Sequence, residues 1–274
     1  KWMDGWETRR TRVKGKDFVI IKLGLPGMIN FAEIDTSYFN GNQPEYASID
    51  ACYIDNKSKK FQWSNILSKR KLKPDTKHGF RIIKSKKIFN YIRLNIYPDG
   101  GVARLKLLGD VVVDKIKFPK NKFDLLSVLK GSKIVACSDE HFGKAENLLL
   151  PFKSKNMGNG WETKRRRGAG FDWIIIKLGK PGFIEKLDIQ THYFKGNFPS
   201  HCSVQGFFSK KKININTIVN TSKNWEYLIK HLELKAHSSI KKQLSKKLKK
   251  INYLKLNIYP DGGISRIRSL GNIA

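Results

Sequence analysis

Acidic side chains recur beside glycine-rich turns at two places in the chain. Gly-Trp-Glu-Thr occurs at residues 5–8 and again at 160–163, and Tyr-Pro-Asp-Gly-Gly occurs at 97–101 and again at 259–263. A carboxylic acid can deliver a proton to a leaving group, and a carboxylate can take a proton from attacking water. The acids that both copies share are therefore candidate catalytic residues: Glu7, Glu162, Asp99 and Asp261.

The same motifs also have a purely structural interpretation. Pro-Asp-Gly-Gly is typical of a tight hairpin turn, in which the aspartate accepts from nearby backbone and glycine supplies a positive φ. The tryptophan of Gly-Trp-Glu-Thr would then be a core residue, and the arginines after it would form a solvated face. A turn alone does not require arginine, however, and Arg104 and Arg266 follow the turn in both copies. From the residues alone, both interpretations stay open.

The chain consists of two copies of one long unit, which indicates duplicated domains rather than a solenoid of short repeats. Trp6 aligns with Trp161 and Tyr97 with Tyr259, and between these points the second copy is longer by seven residues. The extra residues are expected around the lysine-rich stretch 241–250. A preamble at 138–150 precedes the second Gly-Trp-Glu-Thr, so the first copy is expected to lack natural N-terminal residues. The predicted organisation is a first repeat at 1–115, a connector at 116–137 and a second repeat at 138–274.

Short β-branched runs predict an all-β fold. Asp17–Leu23 and Asp172–Leu178 are apolar runs bounded by glycine-containing turns, and Tyr91–Tyr97 alternates between apolar and polar side chains. Many short strands with turn signals between them are typical of a sandwich or a jelly roll. We therefore predict two tandem jelly-roll β-sandwich domains. Further strands are predicted at 29–34, 184–189 and 102–108, and short helices at 138–149 and 240–250.

Composition limits the partners. The chain carries 54 lysines and arginines against 23 acidic residues, a formal net charge of +31. Clustered cations bind nucleic acid by releasing counterions, but the lysine-rich stretches hold few of the aromatics that stack on bases. We therefore expect only non-specific binding of nucleic acid and other polyanions. Three widely separated cysteines indicate a reducing compartment. With neither a signal peptide nor a membrane span in the sequence, a cytoplasmic location without a membrane partner is expected.

The ordered blocks resemble those of the allantoicase family. Gly-Trp-Glu-Thr lies within residues 4–10 and 159–165, and a Thr-x-Tyr-Phe-x-Gly-Asn block lies within 35–42 and 190–197. The Tyr-Pro-Asp-Gly-Gly phrases then close each copy, so the similarity covers nearly the whole chain twice and in the same order. The resemblance implies a jelly roll of the galactose-binding type, assembly into homo-oligomers, and hydrolysis of allantoate to ureidoglycolate and urea in purine breakdown.

Allantoate is a small carboxylate with two ureido arms, and its chemistry suits the shared residues. Guanidinium groups bind a carboxylate through paired charge-assisted hydrogen bonds, and amides and hydroxyls suit the ureido arms. The implied substrate-binding residues are Trp6, Arg9, Arg10, Thr36, Asn42, Arg104, Trp161, Arg165, Thr191, Asn197 and Arg266. The family pattern also implies histidines where this chain has Lys16, Phe171, Tyr38, Tyr193, Tyr91 and Tyr253. His78 and His237, at comparable distances before the last block, are the candidates for a surviving catalytic pair.

Two points stay open at this stage. A divalent metal could activate the water instead of a side chain, but no group of residues has metal-ligand spacing, so the metal is unknown and no other cofactor is expected. A second hypothesis is a duplicated β-sandwich that has lost catalysis and binds a polyanionic partner through its basic surface. The replaced histidines and the high positive charge favour this alternative.

Overall fold

A computed structural model describes residues 4–11, 14–55, 60–82, 87–244 and 249–274. The chain forms two compact units, Lys1–Ile116 and Lys117–Ala274. Both are built mainly from strands, which confirms the prediction of an all-β fold with tandem sandwich domains. None of the helices found in the described ranges is long and apolar enough to cross a membrane.

The first unit is organised around one very long strand. The strands are β1 (Trp6–Glu7), β2 (Asp17–Asp35), β3 (Tyr46–Cys52), β4 (Ser64–Lys71), β5 (Lys77–Arg81), β6 (Phe89–Tyr97), β7 (Gly101–Val102) and β8 (Arg104–Val111), followed by a 3-10 helix at Val113–Lys115. Strand order in the main sheet is β4-β3-β6-β2-β5, and β8 also pairs with β2.

Strand β2 unites two stretches that the sequence predicted as separate strands. Its first part pairs with β6 from Asp17 to Lys22, and its last part pairs with both β5 and β8 from Phe31 to Asp35. The register shifts between Lys22 and Gly27, a stretch that contains Pro26, which lacks an N–H for the ladder. One continuous strand can therefore change neighbours without breaking. Its buried side chains pack in a core that includes Ala32, Ile34, Ile49, Ile92, Leu94 and Ile96.

The second unit repeats this plan with additions. Its strands are β9 (Lys133–Cys137), β10 (Trp161–Glu162), β11 (Asp172–Gln190), β12 (His201–Phe207), β13 (Glu226–Glu233), β14 (Ser239–Gln243), β15 (Lys250–Tyr259), β16 (Gly263–Ile264) and β17 (Arg266–Ile273). The helix α1 spans Ile215–Thr221, and 3-10 helices lie at Val128–Lys130, Ala145–Leu149, Met157–Asn159 and Ser222–Asn224. Strand order is β13-β12-β15-β11-β14, and β9 and β17 also pair with β11.

Residues 117–137, which the sequence analysis assigned to a connector, belong to the second unit. Strand β9 pairs with the first part of β11, and Phe123 exchanges backbone hydrogen bonds with Gly271 at 2.9 and 3.1 Å. Asp124 accepts a hydrogen bond from the Ser269 backbone at 2.9 Å. The segment is therefore part of the fold of this unit.

Two helix predictions and the position of the extra residues are corrected. At 239–243 the chain forms strand β14, whose backbone pairs with residues 186–190 of β11, and residues 245–248 lie outside the described part. In the stretch 138–149 only Ala145–Leu149 is helical, since the Ser138 hydroxyl bonds to Asp172 instead of capping a helix. The seven extra residues lie between β12 and β13, where α1 is, since β13 and β14 already match β4 and β5 at the longer spacing.

The Pro-Asp-Gly-Gly segment was predicted as a hairpin turn, and this is wrong. Strand β6 before it pairs with β2 and β3, whereas β7 after it pairs with β1. The segment therefore connects a strand of the main sheet to a strand of the separate two-stranded sheet formed by β1 and β7. Gly100 has φ +128°, and a Cβ on it would lie 2.7 Å from the Asn42 carbonyl oxygen, so only glycine fits there.

Candidate active site

The Gly-Trp-Glu-Thr and Tyr-Pro-Asp-Gly-Gly motifs of each copy lie next to each other in the structure. In the first unit, Trp6 pairs with Val102 and Glu7 with Gly101, and the Thr8 backbone donates to the Gly100 carbonyl at 3.1 Å. The second unit has the same register through β10 and β16, with a Thr163-to-Gly262 bond of 3.2 Å. We call these regions the motif ends, comprising 4–11, 35–44 and 97–104 in the first unit and 159–168, 190–199 and 259–266 in the second.

The middle block completes each motif end. The Asn42 amide donates to the Glu7 carboxylate at 2.8 Å, and the Asn42 carbonyl accepts from Gly101 at 2.8 Å. In the second unit the Asn197 amide donates to Glu162 in the same way, and its carbonyl accepts from Gly263 at 2.8 Å. Each glutamate is therefore oriented by an amide from a distant part of the sequence.

The predicted aspartates hold backbone. Asp99 accepts from the Thr11 backbone N–H at 2.5 Å, and Asp261 accepts from the Arg166 N–H at 2.8 Å. Both carboxylates therefore fix the segment that follows Gly-Trp-Glu-Thr. Their role in the structure is that of positioning residues for the cationic segment.

A cavity lies beside this segment in each unit. The one in the second unit has a volume of about 470 Å³ and is lined by Ser138, Asp139, Lys164, Arg165, Arg166, Arg167, Gly168, Ala169 and Asp172. The one in the first unit has a volume of about 370 Å³ and is lined by Trp6, Thr8, Arg9, Thr11, Lys16, Asp17 and Phe18. Arg9, Thr11 and Asp17 align with Lys164, Arg166 and Asp172, so the two cavities occupy equivalent places.

The cavity of the second unit contains an organised ion pair. The Arg166 guanidinium donates to Asp172 at 2.6 Å, and the Ser138 hydroxyl donates to the same oxygen at 3.0 Å. The Asp172 side chain is only 2% exposed, whereas that of Arg166 is 34% exposed. Asp139 accepts from the Lys164 N–H at 2.7 Å, and its carbonyl accepts from the Trp161 indole at 2.7 Å.

Four residues of this cavity were not among the predicted site residues: Ser138, Asp139, Arg166 and Asp172. Asp172 carried a usable signal, because an aspartate stands at the equivalent position, Asp17, in the first copy. Ser138 and Asp139 carried none, since they belong to the preamble, which the first copy does not show. Of the predicted residues, the structure places Trp6, Arg9 and Arg165 on the cavity walls. Arg10 is exposed at the first motif end, outside the cavity lining.

Arg266 and Arg104 donate hydrogen bonds to the backbone of the segments that precede Trp161 and Trp6, respectively. Arg266 is fully buried and donates to the Phe152 and Asn159 carbonyl oxygens at 2.8 and 2.6 Å. Burial, together with repulsion from a neighbouring arginine, lowers the pKa of this guanidinium. Arg104 is exposed and donates to the Asp4 carbonyl at 2.6 Å as well as to its carboxylate. Neither arginine lines the two cavities at the motif ends.

The predicted threonines and Trp161 are interior residues. Thr36 is buried and its hydroxyl donates to the Lys73 carbonyl at 2.7 Å, and Thr191 donates to the Lys235 carbonyl at 2.5 Å. Each threonine thus fastens the loop between two strands. Trp161 is fully buried, so its ring belongs to the core of the second unit.

His78 and His237 are not an equivalent pair. His78 lies in β5, where its Nε2 accepts from the Lys73 N–H at 2.8 Å and its Nδ1 lies 3.2 Å from the Ile34 carbonyl. His237 occupies the place of Asp75, and both accept from a backbone N–H, of Tyr193 and Tyr38 respectively, at 2.8 Å. Both histidines are therefore engaged with backbone, and neither lines the cavities described above.

Burial raises the pKa of all three cysteine thiols. Burial raises the pKa of Cys202 to about 12, and burial together with nearby carboxylates raises the pKa of Cys137 to about 11. Cys52 is buried and its pKa is raised as well. A thiolate nucleophile at neutral pH is therefore not available from these residues. Within the described ranges, no cluster of three or more His, Cys, Asp or Glu residues is arranged to hold a metal ion.

Comparison with known proteins gives a consistent result. The family description "Allantoicase repeat" matches residues 1–112 and 123–274. A probable allantoicase from Pseudomonas fluorescens (strain Pf0-1) is 44% identical over 279 residues, covering 100% of this chain and 83% of that protein. One from Photobacterium profundum is 45% identical over 277 residues, covering 99% and 83%. The crystal structure of allantoicase from Saccharomyces cerevisiae is similar with a TM-score of 0.76 and 36% identity, covering 98% of this chain and 81% of that one.

Proposed function

Since the chain belongs to the allantoicase family, we propose that it hydrolyses allantoate to ureidoglycolate and urea at the motif ends of its repeats. In this reaction the bond between the central carbon and one ureido nitrogen breaks. The oxygen of a water molecule bonds to that carbon, and the leaving nitrogen takes up a proton, so that urea departs. The protein must therefore bind a carboxylate, orient two ureido arms, and manage the protons of water and leaving group.

One observation carries the proposal: segments far apart in sequence meet at the same end of each unit. The strand pairing of Glu7 with Gly101 and the bond from Asn42 to Glu7 join all three sequence blocks. In the second unit the segment after Gly-Trp-Glu-Thr, whose backbone Asp261 holds, lines a cavity with four cationic side chains and two acids. Such a cavity suits a small anion with polar arms.

The second unit suggests how the roles are divided. Its arginines and lysine supply the charge for the substrate carboxylate. Asp172 is engaged by the Arg166 guanidinium and the Ser138 hydroxyl, whereas the Asp139 carboxylate accepts from the Lys164 backbone through Oδ2, so we propose that Asp139 takes the proton of the attacking water. Glu162 is oriented by Asn197 but does not line this cavity, so its proposed role as proton donor requires the leaving ureido arm to extend beyond the lining towards Glu162.

The direct test is urea release from allantoate by the purified chain. We expect release well above the rate without protein between pH 6 and 9. An Asp99→Ala/Asp261→Ala double variant should be slower by about 10-fold or more, because the cationic segments lose their backbone anchors. Absence of urea over this pH range, with and without added divalent metals, would refute the proposal. Comparing the rate of urea release with and without added divalent metals also tests whether a metal activates the water.

Three further features are also proposed: the oligomeric state, the location and the binding of polyanions. We expect a homo-oligomer, to be measured by light scattering on the purified chain, and a monomer would refute that expectation. A cytoplasmic location and only salt-sensitive binding to polyanions are expected as well. Retention on heparin that vanishes at moderate salt would agree with non-specific binding, whereas sequence-selective RNA binding would contradict it.

A further inference from the structure

The two cavities differ at one position that bears directly on anion binding. Arg166 in the second unit aligns with Thr11 in the first. The backbone N–H of each is held by the aspartate of Pro-Asp-Gly-Gly, Asp261 or Asp99, at 2.8 and 2.5 Å. The main chain therefore follows the same path in both units, and the difference lies in the side chain: a guanidinium in one, a hydroxyl in the other.

Arg166 is held rigidly by its surroundings. One of its terminal nitrogens donates to the buried Asp172 carboxylate at 2.6 Å, and Ser138 supports that carboxylate. Its guanidinium also lies against Gly170, where a Cβ would sit 3.3 Å from Nη1 and 3.6 Å from Cζ. Gly170 has φ +132°, which favours glycine for a second reason. The ion pair with Asp172 therefore orients the guanidinium, and a side chain at position 170 would crowd it.

This arrangement leaves donors for a ligand. A guanidinium has five N–H groups, and the bond to Asp172 uses one terminal nitrogen. The side chain is one-third exposed and lines the cavity, together with Lys164, Arg165 and Arg167. A fixed fork of donors with cations around it matches the geometry of a carboxylate, whereas a flexible lysine provides only a point charge.

Resting on the proposed function, the structure assigns to Arg166 the role of the residue that binds the substrate carboxylate, and it therefore assigns the reaction to the second unit. Asp172 and Asp261 are positioning residues that act through Arg166. The first unit keeps the motif end and the cavity, and Arg9 lines that cavity, but Thr11 stands where the second unit has the guanidinium that a buried aspartate orients. Its contribution is to the fold of the chain rather than to turnover.

The test uses allantoate hydrolysis by the full chain. Arg166→Thr, which gives the second unit the residue of the first, should raise KM by about 10- to 100-fold, the loss expected for a hydrogen-bonded charge pair. Arg166→Lys should recover part of this loss, because it restores the charge without the fork. Lys230→Thr, which removes one exposed cation of β13, is the matched control for net charge and should leave KM unchanged. Circular dichroism and the melting temperature establish that each variant is folded.

The assignment of the reaction to the second unit is tested by comparing the KM values of two aspartate variants. The KM of Asp261→Ala should exceed that of Asp99→Ala by at least about tenfold, because only Asp261 holds the binding arginine. A KM of folded Arg166→Thr within about twofold of the parent, or equal effects of the two aspartate variants, would overturn the inference.

Failure of the proposed function can be separated from failure of this inference. If the parent chain releases no urea, binding of glycolate, a small hydroxy-carboxylate, is measured by calorimetry. Loss of that binding in Arg166→Thr but not in Lys230→Thr would still support Arg166 as the carboxylate site. Unchanged glycolate binding in Arg166→Thr would refute it.

Discussion

The two units differ in how they accommodate a partly or fully buried cationic side chain on one face of the main sheet. In the first unit, Asp50 on β3 faces Arg93 on β6, and the two form an ion pair of 2.8 Å. Burial raises the pKa of Asp50, but hydrogen bonds from Asn65, Arg93 and Asn95 outweigh it, so the pKa lies below its usual value. The acid and the base thus stabilise each other within the sheet.

In the second unit the equivalent residues are Gln205 and Lys255, and no acid replaces Asp50. Lys255 is buried, donates to the Ser222 hydroxyl at 3.1 Å, and lies over the Trp173 ring at 5.4 Å. Desolvation lowers its pKa. Gln205 donates to the Trp225 carbonyl at 2.8 Å.

The difference follows from the extra residues between β12 and β13. They add α1, whose Ile218 packs with Ile175, Trp225 and Tyr253 over this face. The added segment gives Lys255 the Ser222 hydroxyl and apolar neighbours, whereas Arg93 in the first unit has the Asp50 carboxylate as its counterion. A change in charge pairing and a gain of chain length are therefore parts of one structural change.

Removal of the covering tryptophan should have the largest effect. Trp225 is buried, whereas its counterpart Trp63 is only partly buried and stacks on Phe61 at 5.2 Å. Trp225→Ala should lower the free energy of unfolding by about 3–4 kcal/mol. Trp63→Ala should cost about 1–2 kcal/mol, because less of its surface leaves water on folding. Denaturant unfolding measures both, and equal costs would show that the cover is not specific to the second unit.

Breaking the ion pair should have the next largest effect. Asp50→Ala leaves the Arg93 guanidinium partly buried without its carboxylate and should cost about 2 kcal/mol, less than a fully buried pair would. The contribution of Asp50 is present above its unfolded pKa of about 3.9 and is lost as pH falls through its lower folded pKa. Unfolding at pH 7 and at pH 3 should therefore differ for the parent more than for Asp50→Ala. Gln205→Ala is the counterpart in the second unit, and an equally large loss of acid sensitivity there would contradict the comparison.

Lys255→Met should act in the opposite direction. The charged ammonium is favoured in the unfolded chain and disfavoured in the buried site, so its removal should stabilise the chain by about 1 kcal/mol at pH 7. Because the folded pKa is lowered, this gain should shrink as pH rises through that pKa towards about 10.4. Arg93→Met, the same change in the first unit, should destabilise. Thermal unfolding of the two variants at pH 7 is the measurement, and a loss of stability in Lys255→Met would refute the prediction.

The smallest effect is expected at a pair of stacked histidines. His201 stacks on His231 at 4.4 Å and on Tyr259 at 4.5 Å, whereas the first unit has Lys69 over the rings of Tyr46 and Tyr97. Burial and repulsion from His231, against attraction from Glu233, lower the pKa of His201.

The lowered pKa of His201 fixes the sign of the pH effect. Its contribution is complete above about pH 6.5 and is lost as pH falls through the lower folded pKa. The melting temperature should drop between pH 7.5 and 5.5 by about 1–2 °C more in the parent than in a His201→Tyr/His231→Lys variant. The variant copies the first unit, and an identical pH dependence in both proteins would contradict the role of the pair.

Much of this architecture was readable from the sequence because it depends on local patterns. The β-branched runs and the alternation at Tyr91–Tyr97 predicted strands that the structure contains. The repeat itself located the motif ends, because two copies must place equivalent residues equivalently. The family assignment followed from the order of those motifs.

The remaining features depend on partners that are distant in sequence. The role of Asp99 and Asp261 as anchors for backbone could not be read from a Pro-Asp-Gly-Gly phrase, since their partners precede them by about ninety residues. Arg266 looked like a binding residue, but its burial under the carbonyls of Phe152 and Asn159 is set by tertiary packing. The position of the added segment was missed because lysine-rich composition was more conspicuous than Ile218 and its neighbours.

The location of α1 has a practical consequence for protein engineering. The second unit has seven extra residues between β12 and β13, and these two strands still pair as β3 and β4 do in the first unit. The corresponding connection after Cys52 therefore marks a permissive point at which a reporter peptide could be grafted into the other copy. A graft there would lie in the unit that does not contain Arg166 and would report on that unit.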